Sequence, residues 1–192
     1  MPWLLGVTGA IGAGKSTLCA LLRRHGYPVL DLDDVAAESL LHVRPFLLRE
    51  LPAAVGADGG VDKGLVFAAM LRDDTFHGAL REALRPLLWQ SVRGFRDRLT
   101  GPGALDAALL FESGLEALCD ATLCVRCPRE ERRRRVAARP TASARYFEAL
   151  EAAQWPESAK LARAGITLAG DVPTEQLEHE LRAALRALGQ AL

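Results

Sequence analysis

The sequence predicts an α/β fold in which a parallel β-sheet is flanked by helices. Short apolar segments that end at glycine or at acidic residues alternate with longer segments of helical periodicity. A glycine-rich turn separates the first apolar segment from the first helical one, near the start of the chain. Because parallel strands need helical crossovers between them, this alternation favours a parallel sheet.

Apolar runs with the length of buried strands recur along the chain. They are Trp3–Val7, Tyr27–Asp34, Gly103–Gly114, Ala121–Cys127 and Gly165–Gly170. The third run carries an acid towards each end, and Asp106 precedes Glu112. If the whole run is one strand, Glu112 lies at the same edge of the sheet as the acids that end the second strand. Asp106 then lies at the opposite edge. A structural role is expected for Glu112.

Between the second and third predicted strands the helical stretch is longer than one crossover requires. It is interrupted near Pro45 and Pro52, and two or more helices follow. We therefore expect one domain, with a core at about 1–34 and 100–192 and an inserted helical subdomain at about 35–99 that closes over a substrate. A lid is expected at about 128–160.

The segment Gly9–Ser16 has the spacing Gly-x-x-x-x-Gly-Lys-Ser of a phosphate-binding P-loop. Glycines let several backbone N–H groups point at one anion, and a helix that starts at about Lys15 directs its positive end there. Lys15 has the reach to bind a β- or γ-phosphate, and the Ser16 hydroxyl suits Mg²⁺. The predicted fold is therefore of the P-loop NTPase type, with a nucleoside triphosphate bound at this turn.

Composition narrows the function classes. The 192 residues carry 24 basic and 24 acidic side chains, which argues against general binding to nucleic acid or to a membrane surface. With no membrane-length apolar run and no signal peptide, we expect a cytoplasmic protein, as a monomer or a small homo-oligomer. The four cysteines are expected to be reduced. Cys124 and Cys127 lack a second ligand pair, so no protein-bound zinc is expected.

Acidic residues follow the second predicted strand, at the edge where open α/β sheets bind ligands. On an extended strand Asp31 and Asp33 share one face. One carboxylate suits proton abstraction from a hydroxyl and the other suits Mg²⁺, whereas Asp34 fits a helix N-terminus. A small-molecule kinase is favoured over a GTPase, for which no Asn-Lys-x-Asp element is visible.

Six arginines lie between Arg129 and Arg139. In a small kinase such a helix can form a lid whose arginines neutralise the transferring phosphoryl group. We expect Arg139, with at least one of Arg132, Arg133 and Arg135, to face the phosphates in the closed state.

The order and spacing of these segments resemble the dephospho-coenzyme A kinase family from about Leu4 to Leu185. The matching segments are GVTGAIGAGKST, GYPVLDLDDVAAE, GGVDKGLVF, LREALRPLL, DAALLFESG, ERRRRVAARP and AAQWPESAKLARA. The resemblance implies transfer of the ATP γ-phosphate to the 3′-hydroxyl of dephospho-coenzyme A, giving coenzyme A and ADP. It implies ATP, Mg²⁺ and dephospho-coenzyme A as partners.

The resemblance also assigns residues. The implied phosphate-binding residues are Gly12, Ala13, Gly14, Lys15, Ser16 and Thr17, with Ser16 as the Mg²⁺ ligand. The implied catalytic residues are Lys15, Asp33 and Arg139, and the implied substrate-binding residues are Asp31, Asp33 and Lys63. Gln154 and Lys160 match family positions after the lid.

The chain departs from the family pattern at several positions. Gly64, Arg85, Ala108 and Gly170 stand where the family usually has Arg, His, Pro and Asn. A divergent but active kinase is expected. The alternatives are another small-molecule P-loop kinase, such as a nucleoside or nucleotide kinase, and an ATP-binding protein without phosphotransfer.

Overall fold

A computed structural model describes residues 2–139 and 144–190. The chain divides into two compact units, of which the first runs to Asp31 and resumes at Val92. The second unit is Leu32–Ser91. Part of the predicted lid at 128–160 lies outside the described residues, so the lid stays a prediction.

The first unit is built around a five-stranded parallel sheet with the strand order β2-β3-β1-β4-β5. The strands are β1 (Trp3–Gly9), β2 (Val29–Asp31), β3 (Pro102–Asp106), β4 (Ala121–Arg126) and β5 (Ile166–Ala169). Each neighbouring pair runs parallel, so all carboxyl ends meet at one edge. The predicted α/β class with a parallel sheet flanked by helices is confirmed.

The helices are numbered along the described chain and lie between or after these strands in the sequence. They are α1 (Lys15–Arg24), α2 (Leu32–Ser39), α3 (Arg44–Glu50), α4 (Lys63–Met70), α5 (Asp74–Asp97), α6 (Arg129–Ala137), α7 (Ala144–Ala152), α8 (Glu157–Arg163) and α9 (Thr174–Ala187). Short 3₁₀ turns occur at Pro52–Ala54 and Leu115–Leu118. Among the described residues, no helix is long and apolar enough to span a bilayer.

The core of the first unit lies between the sheet and two helices. Leu5 and Val7 of β1 are fully buried against Leu18 of α1 and Leu181 of α9. α9 also packs on α1 and β5. Burying these side chains contributes about 1.5–3 kcal/mol each. The turn after β1 is therefore anchored at both ends, by a central strand and by a packed helix.

The second unit is helical, and two of its three prolines lie where helices begin, whereas Pro86 lies inside α5. Pro45 stands in the first turn of α3, and Pro52 opens the 3₁₀ turn. Proline is tolerated there because the first helical N–H groups have no intrahelical partner. The Phe46 ring stacks on Phe76 with 6.0 Å between centroids. The interruptions predicted near both prolines are confirmed.

The second strand is shorter than predicted. β2 ends at Asp31, and Asp33 and Asp34 lie in the first turn of α2, where acidic side chains favour the helix N-terminus. The expectation that Asp31 and Asp33 share a strand face is therefore wrong, because only Asp31 belongs to the strand.

The third strand also ends earlier than predicted. β3 stops at Asp106, which pairs in register with Val7 of β1 and with Asp31 of β2. The chain then turns, and Ser113 N–H donates to the carbonyl of Leu109 at 3.0 Å. The third strand was predicted too long because a short apolar run does not distinguish a strand from other buried structure. The expectation that Asp106 lies at the edge opposite the P-loop is wrong.

Candidate functional site

The turn after β1 adopts a conformation that requires its glycines. Gly12 has φ 78° and Gly14 has φ 107°, both in the left-handed region that non-glycine residues rarely adopt. Gly14 is the N-cap of α1, and within the described chain no side chain caps that end. No side-chain oxygen of the described residues caps the first N–H groups of α1, so these groups are available to bind an anion.

Close backbone packing fixes this turn against neighbouring segments. A Cβ at Gly9 would lie 2.8 Å from the carbonyl oxygen of Val125, and one at Gly12 would lie 2.7 Å from that of Arg132. A Cβ at Gly170 would collide with the carbonyl oxygen of Ala13. Glycine at 170, a departure from the family pattern, is therefore what lets the end of β5 approach the P-loop in this chain.

Lys15 and Asp106 form an ion pair at the carboxyl edge of the sheet. Lys15 is the first residue of α1, and Asp106 is the last residue of β3, the strand next to β1. Their side chains are 16% and 4% exposed. The pair brings the Asp106 carboxylate to the base of the P-loop, whereas the sequence predicted Asp106 at the opposite edge of the sheet. The sequence did not show that β3 ends at Asp106, which is why this position was mispredicted.

Cys19 completes this cluster from the same face of α1. It lies one helical turn after Lys15, and its thiol is close enough to Asp106 for that carboxylate to affect its pKa. Burial, followed by the negative charge of Asp106, raises the pKa of the Cys19 thiol. The thiol therefore stays protonated at neutral pH.

A second buried ion pair lies after β3. Lys160 of α8 and Glu112 are 2.7 Å apart, with side chains 0% and 1% exposed. Lys160 also donates to the carbonyl oxygen of Ala108, which accepts from Thr8 Oγ1 at 3.3 Å. Glu112 accepts from the N–H of Trp155 at 2.8 Å. Glu112 therefore ties the turn after β3 to α8, the structural role expected for it.

The arginines of α6 point in different directions. Arg135 donates through Nη1 to the carbonyl oxygen of Gly170 at 2.9 Å and through Nε to Glu131 at 2.8 Å. That Nη1 lies 3.5 Å from where a Cβ of Gly14 would stand, so Arg135 borders the P-loop. Arg133 and Arg139 are exposed. Arg132 is buried, where it donates to the carbonyl oxygen of Cys127 and pairs with Glu151.

The remaining predicted site residues lie on other elements. Asp31 is half-buried at the end of β2, and Asp33 is exposed in α2. Lys63 is exposed at the first position of α4, whose N-cap Asp62 accepts from Leu65 N–H at 3.0 Å. Ser16 and Thr17 are exposed in the first turn of α1. Over the described residues, no three His, Cys, Asp or Glu side chains are grouped as metal ligands.

Comparison with known proteins connects this geometry to a family. A sequence model of the dephospho-CoA kinase family matches residues 3–176. A curated dephospho-CoA kinase of Thermus thermophilus is 40% identical over 188 residues, which cover 97% of this chain and 92% of that protein. The crystal structure of TT1252 from Thermus thermophilus has a TM-score of 0.83 at 39% identity, covering 97% of this chain and 98% of its own.

A more distant structure shares the fold. The dephospho-CoA kinase from Campylobacter jejuni is 18% identical, with a TM-score of 0.69 over 96% of both chains. The sequence match to the family extends over nearly the whole chain and includes the P-loop, β3 and α6. The chain belongs to the dephospho-CoA kinase family.

Proposed function

We propose that the chain transfers the γ-phosphate of ATP to the 3′-hydroxyl of dephospho-CoA, giving CoA and ADP. The observation that carries this proposal is the P-loop in its phosphate-binding conformation, with Lys15 held against Asp106, in a member of this family. Membership of the dephospho-CoA kinase family supports this reaction, and the P-loop offers a binding site for the polyphosphate.

The phosphates of ATP are proposed to lie on the backbone N–H groups from Gly12 to Thr17. The left-handed glycines and the uncapped start of α1 support this, because both present N–H groups to an anion. Lys15 would exchange the Asp106 carboxylate for the β- and γ-phosphates when ATP binds. Because Lys15 is largely shielded from water, its charge acts more strongly on the phosphates than an exposed lysine would.

The residues around Lys15 fit a magnesium site. Mg²⁺ prefers oxygen ligands and keeps part of its water shell, and the Ser16 hydroxyl and the Asp106 carboxylate are oxygen donors at the N-terminus of α1 and the end of β3. P-loop enzymes use this combination of a P-loop hydroxyl and a strand-end aspartate. When bound, Mg²⁺ would neutralise charge on the β- and γ-phosphates.

Asp33 is proposed to receive the acceptor hydroxyl. It follows Asp31 by two residues, and Asp31 pairs in register with Asp106 at the ligand-binding edge of the sheet. The acceptor oxygen would form a bond to the γ-phosphorus as the bond to the β-phosphate oxygen breaks. The hydroxyl proton passes to the Asp33 carboxylate, and ADP leaves. Asp31 and Lys63 are proposed to help hold dephospho-CoA.

Arg139 is proposed to stabilise the transferring phosphoryl group. It follows α6 directly, at an exposed position, while Arg135 on the same helix borders Gly14. A guanidinium spreads its positive charge over a planar fork that matches phosphate oxygens. The predicted helical insert at 35–99 and lid at 128–160 belong to this proposal as the acceptor-binding and closing parts.

A coupled ADP-release assay tests the function. Purified protein with ATP and Mg²⁺ is expected to release ADP when dephospho-CoA is added, and mass spectrometry should show a product heavier by one phosphoryl group at the 3′-position. A panel of nucleosides and nucleotides run beside it is expected to give little turnover. Turnover with nucleosides alone would favour the nucleoside kinase alternative. ATP binding without turnover on any acceptor would favour a non-catalytic protein.

A further inference from the structure

The peptide groups of Ile11, in the middle of the P-loop, are held by two side chains from distant parts of the first unit. Ile11 N–H donates to Gln154 Oε1 at 3.0 Å. The Ile11 carbonyl oxygen accepts from Arg132 Nη1 at 3.4 Å. Gln154 follows α7, and Arg132 lies in α6. The two peptide groups that flank Ile11 are therefore each held by one side chain, the first at its N–H and the second at its carbonyl oxygen.

Arg132 is itself fixed by several partners. Its side chain is 5% exposed, its Nε donates to the carbonyl oxygen of Cys127 at 3.1 Å, and its Nη2 lies 3.0 Å from Glu151. The guanidinium also lies over the Phe147 ring, 5.7 Å from the centroid. A planar group with rigidly spaced donors that are all directed into the protein has little freedom to leave. Arg132 is thus a fixed support and not a mobile phosphate ligand.

The orientation of the peptide groups on either side of Ile11 matters because the N–H groups that follow, from Gly12 to Thr17, are expected to contact phosphate. Ile11 directly precedes Gly12, whose left-handed backbone starts the anion-binding part of the loop. A loop that already holds its N–H groups towards the anion loses less conformational freedom when the anion binds. A peptide that rotates freely at Ile11 would instead let the following N–H groups turn away.

We propose that Gln154 and Arg132 are positioning residues of the ATP site: they clamp the two peptide groups on either side of Ile11 and keep the P-loop in its phosphate-binding shape. Neither side chain is assigned a contact with a phosphate. The inference rests on ATP as the nucleotide of the proposed function. It does not depend on which acceptor receives the phosphate.

Gln154→Leu tests the clamp, since it removes the acceptor from a half-buried side chain at nearly constant size. Loss of one hydrogen bond should raise the dissociation constant for ATP, measured by calorimetry without an acceptor, by about two- to tenfold. The KM for ATP should rise by the same factor, while the KM for dephospho-CoA and the unfolding midpoint stay at parent values. Gln154→Glu, which keeps an acceptor oxygen, should restore most of the affinity.

Arg132→Met should weaken ATP binding more than Gln154→Leu does, and it should also lower stability because the carbonyl oxygens of Ile11 and Cys127 lose their donor. Gln176→Leu and Arg182→Met make the same chemical changes on α9 and should leave ATP binding unchanged. Parent-like ATP affinity in Gln154→Leu would overturn the clamp, as would equal effects of that variant on both substrates. Failure of the proposed function would appear separately, as parent protein that binds ATP but does not turn over dephospho-CoA.

Discussion

Lys15 Nζ is paired with the Asp106 carboxylate, and this contact joins the first turn of α1 to the last residue of β3. Asp106 lies between Val7 of β1 and Asp31 of β2 in the sheet register. The positive charge that is expected to meet the phosphates is thus held in place by a carboxylate on the neighbouring strand. In the proposed function, that same carboxylate would become available when the phosphates replace it.

Lys15→Ala should remove most turnover while leaving the fold intact. The lost ammonium no longer offsets the negative charge that develops on the phosphates. The ADP-release assay with dephospho-CoA measures turnover, and far-ultraviolet circular dichroism measures the fold. Turnover close to that of the parent would contradict the assignment of Gly9–Ser16 as the nucleotide site.

Asp106→Asn should lower turnover by about 10- to 100-fold, the usual effect of losing a group that orients a metal and its ligands. The variant should also require more Mg²⁺ for half-maximal rate, because a neutral amide attracts the cation less. A Mg²⁺ titration of the rate measures both effects. Asp58→Asn, an exposed aspartate in a turn, is the matched control. An unchanged Mg²⁺ requirement in Asp106→Asn would separate Asp106 from the metal.

The P-loop was predictable because its information is local. Gly12, Gly14 and Lys15 occur at fixed spacing within one short segment, and the positive φ values of the glycines follow from that spacing. The starts of α3 and of the 3₁₀ turn were predictable for the same reason, since Pro45 and Pro52 restrict the backbone where they stand.

Asp106 was misplaced because a strand end depends on pairing with other strands. Asp106 is the one charged residue between Leu105 and Phe111, but the apolar residues after it continue into the buried turn, so the run looks like one longer strand. Gln154 was noticed only by resemblance, and its contact with Ile11 spans 143 positions in the sequence. Contacts of that separation arise from the tertiary fold and leave no local pattern.

Lys160→Met should destabilise the protein by about 3–5 kcal/mol, because it leaves the Glu112 carboxylate buried without its counter-ion. The double variant Lys160→Met/Glu112→Leu should recover much of that loss, since both charges are then gone. Urea unfolding measures the free energies. Arg85→Met breaks an exposed pair with Glu82 and should cost less than about 1 kcal/mol. A double variant as unstable as Lys160→Met would contradict the charge argument.

The cysteine thiols should resist alkylation in the folded protein. Burial raises the pKa of Cys119 and of Cys124 to about 12, and it also raises the pKa of Cys19 and Cys127. Because the thiolate is the nucleophile, iodoacetamide at pH 8 should react slowly with native protein and rapidly in guanidinium. Mass spectrometry counts the modified thiols.

Raised thiol pKa values also predict how stability depends on pH. The folded state keeps protons on Cys119 and Cys124 that the unfolded state releases above a pKa of about 9, so stability is complete below that pH. It should then fall as the pH rises towards 12. The Cys119→Ala variant should show a shallower fall than the parent over that range. Equal slopes would show that this thiol does not titrate differently in the two states.

Asp33→Asn should lower turnover with dephospho-CoA by about 10² or more, as expected for removal of an acid–base group, while ATP still binds. The chain leaves the sheet at Asp31, opposite Asp106, and Asp33 comes two residues later in the first turn of α2. Because phosphoryl transfer has a loose transition state, the proton leaves late, and orienting the hydroxyl contributes as much as basicity. Asn keeps the shape of the side chain and loses the charge, so the variant isolates the effect of the carboxylate charge.

The control is Asp34→Asn, which changes the neighbouring exposed aspartate and should keep parent turnover. The coupled ADP-release assay compares the two, and calorimetry with ATP confirms that the nucleotide site is intact. If Asp33→Asn turns over dephospho-CoA at the parent rate, the acceptor hydroxyl is oriented by another residue.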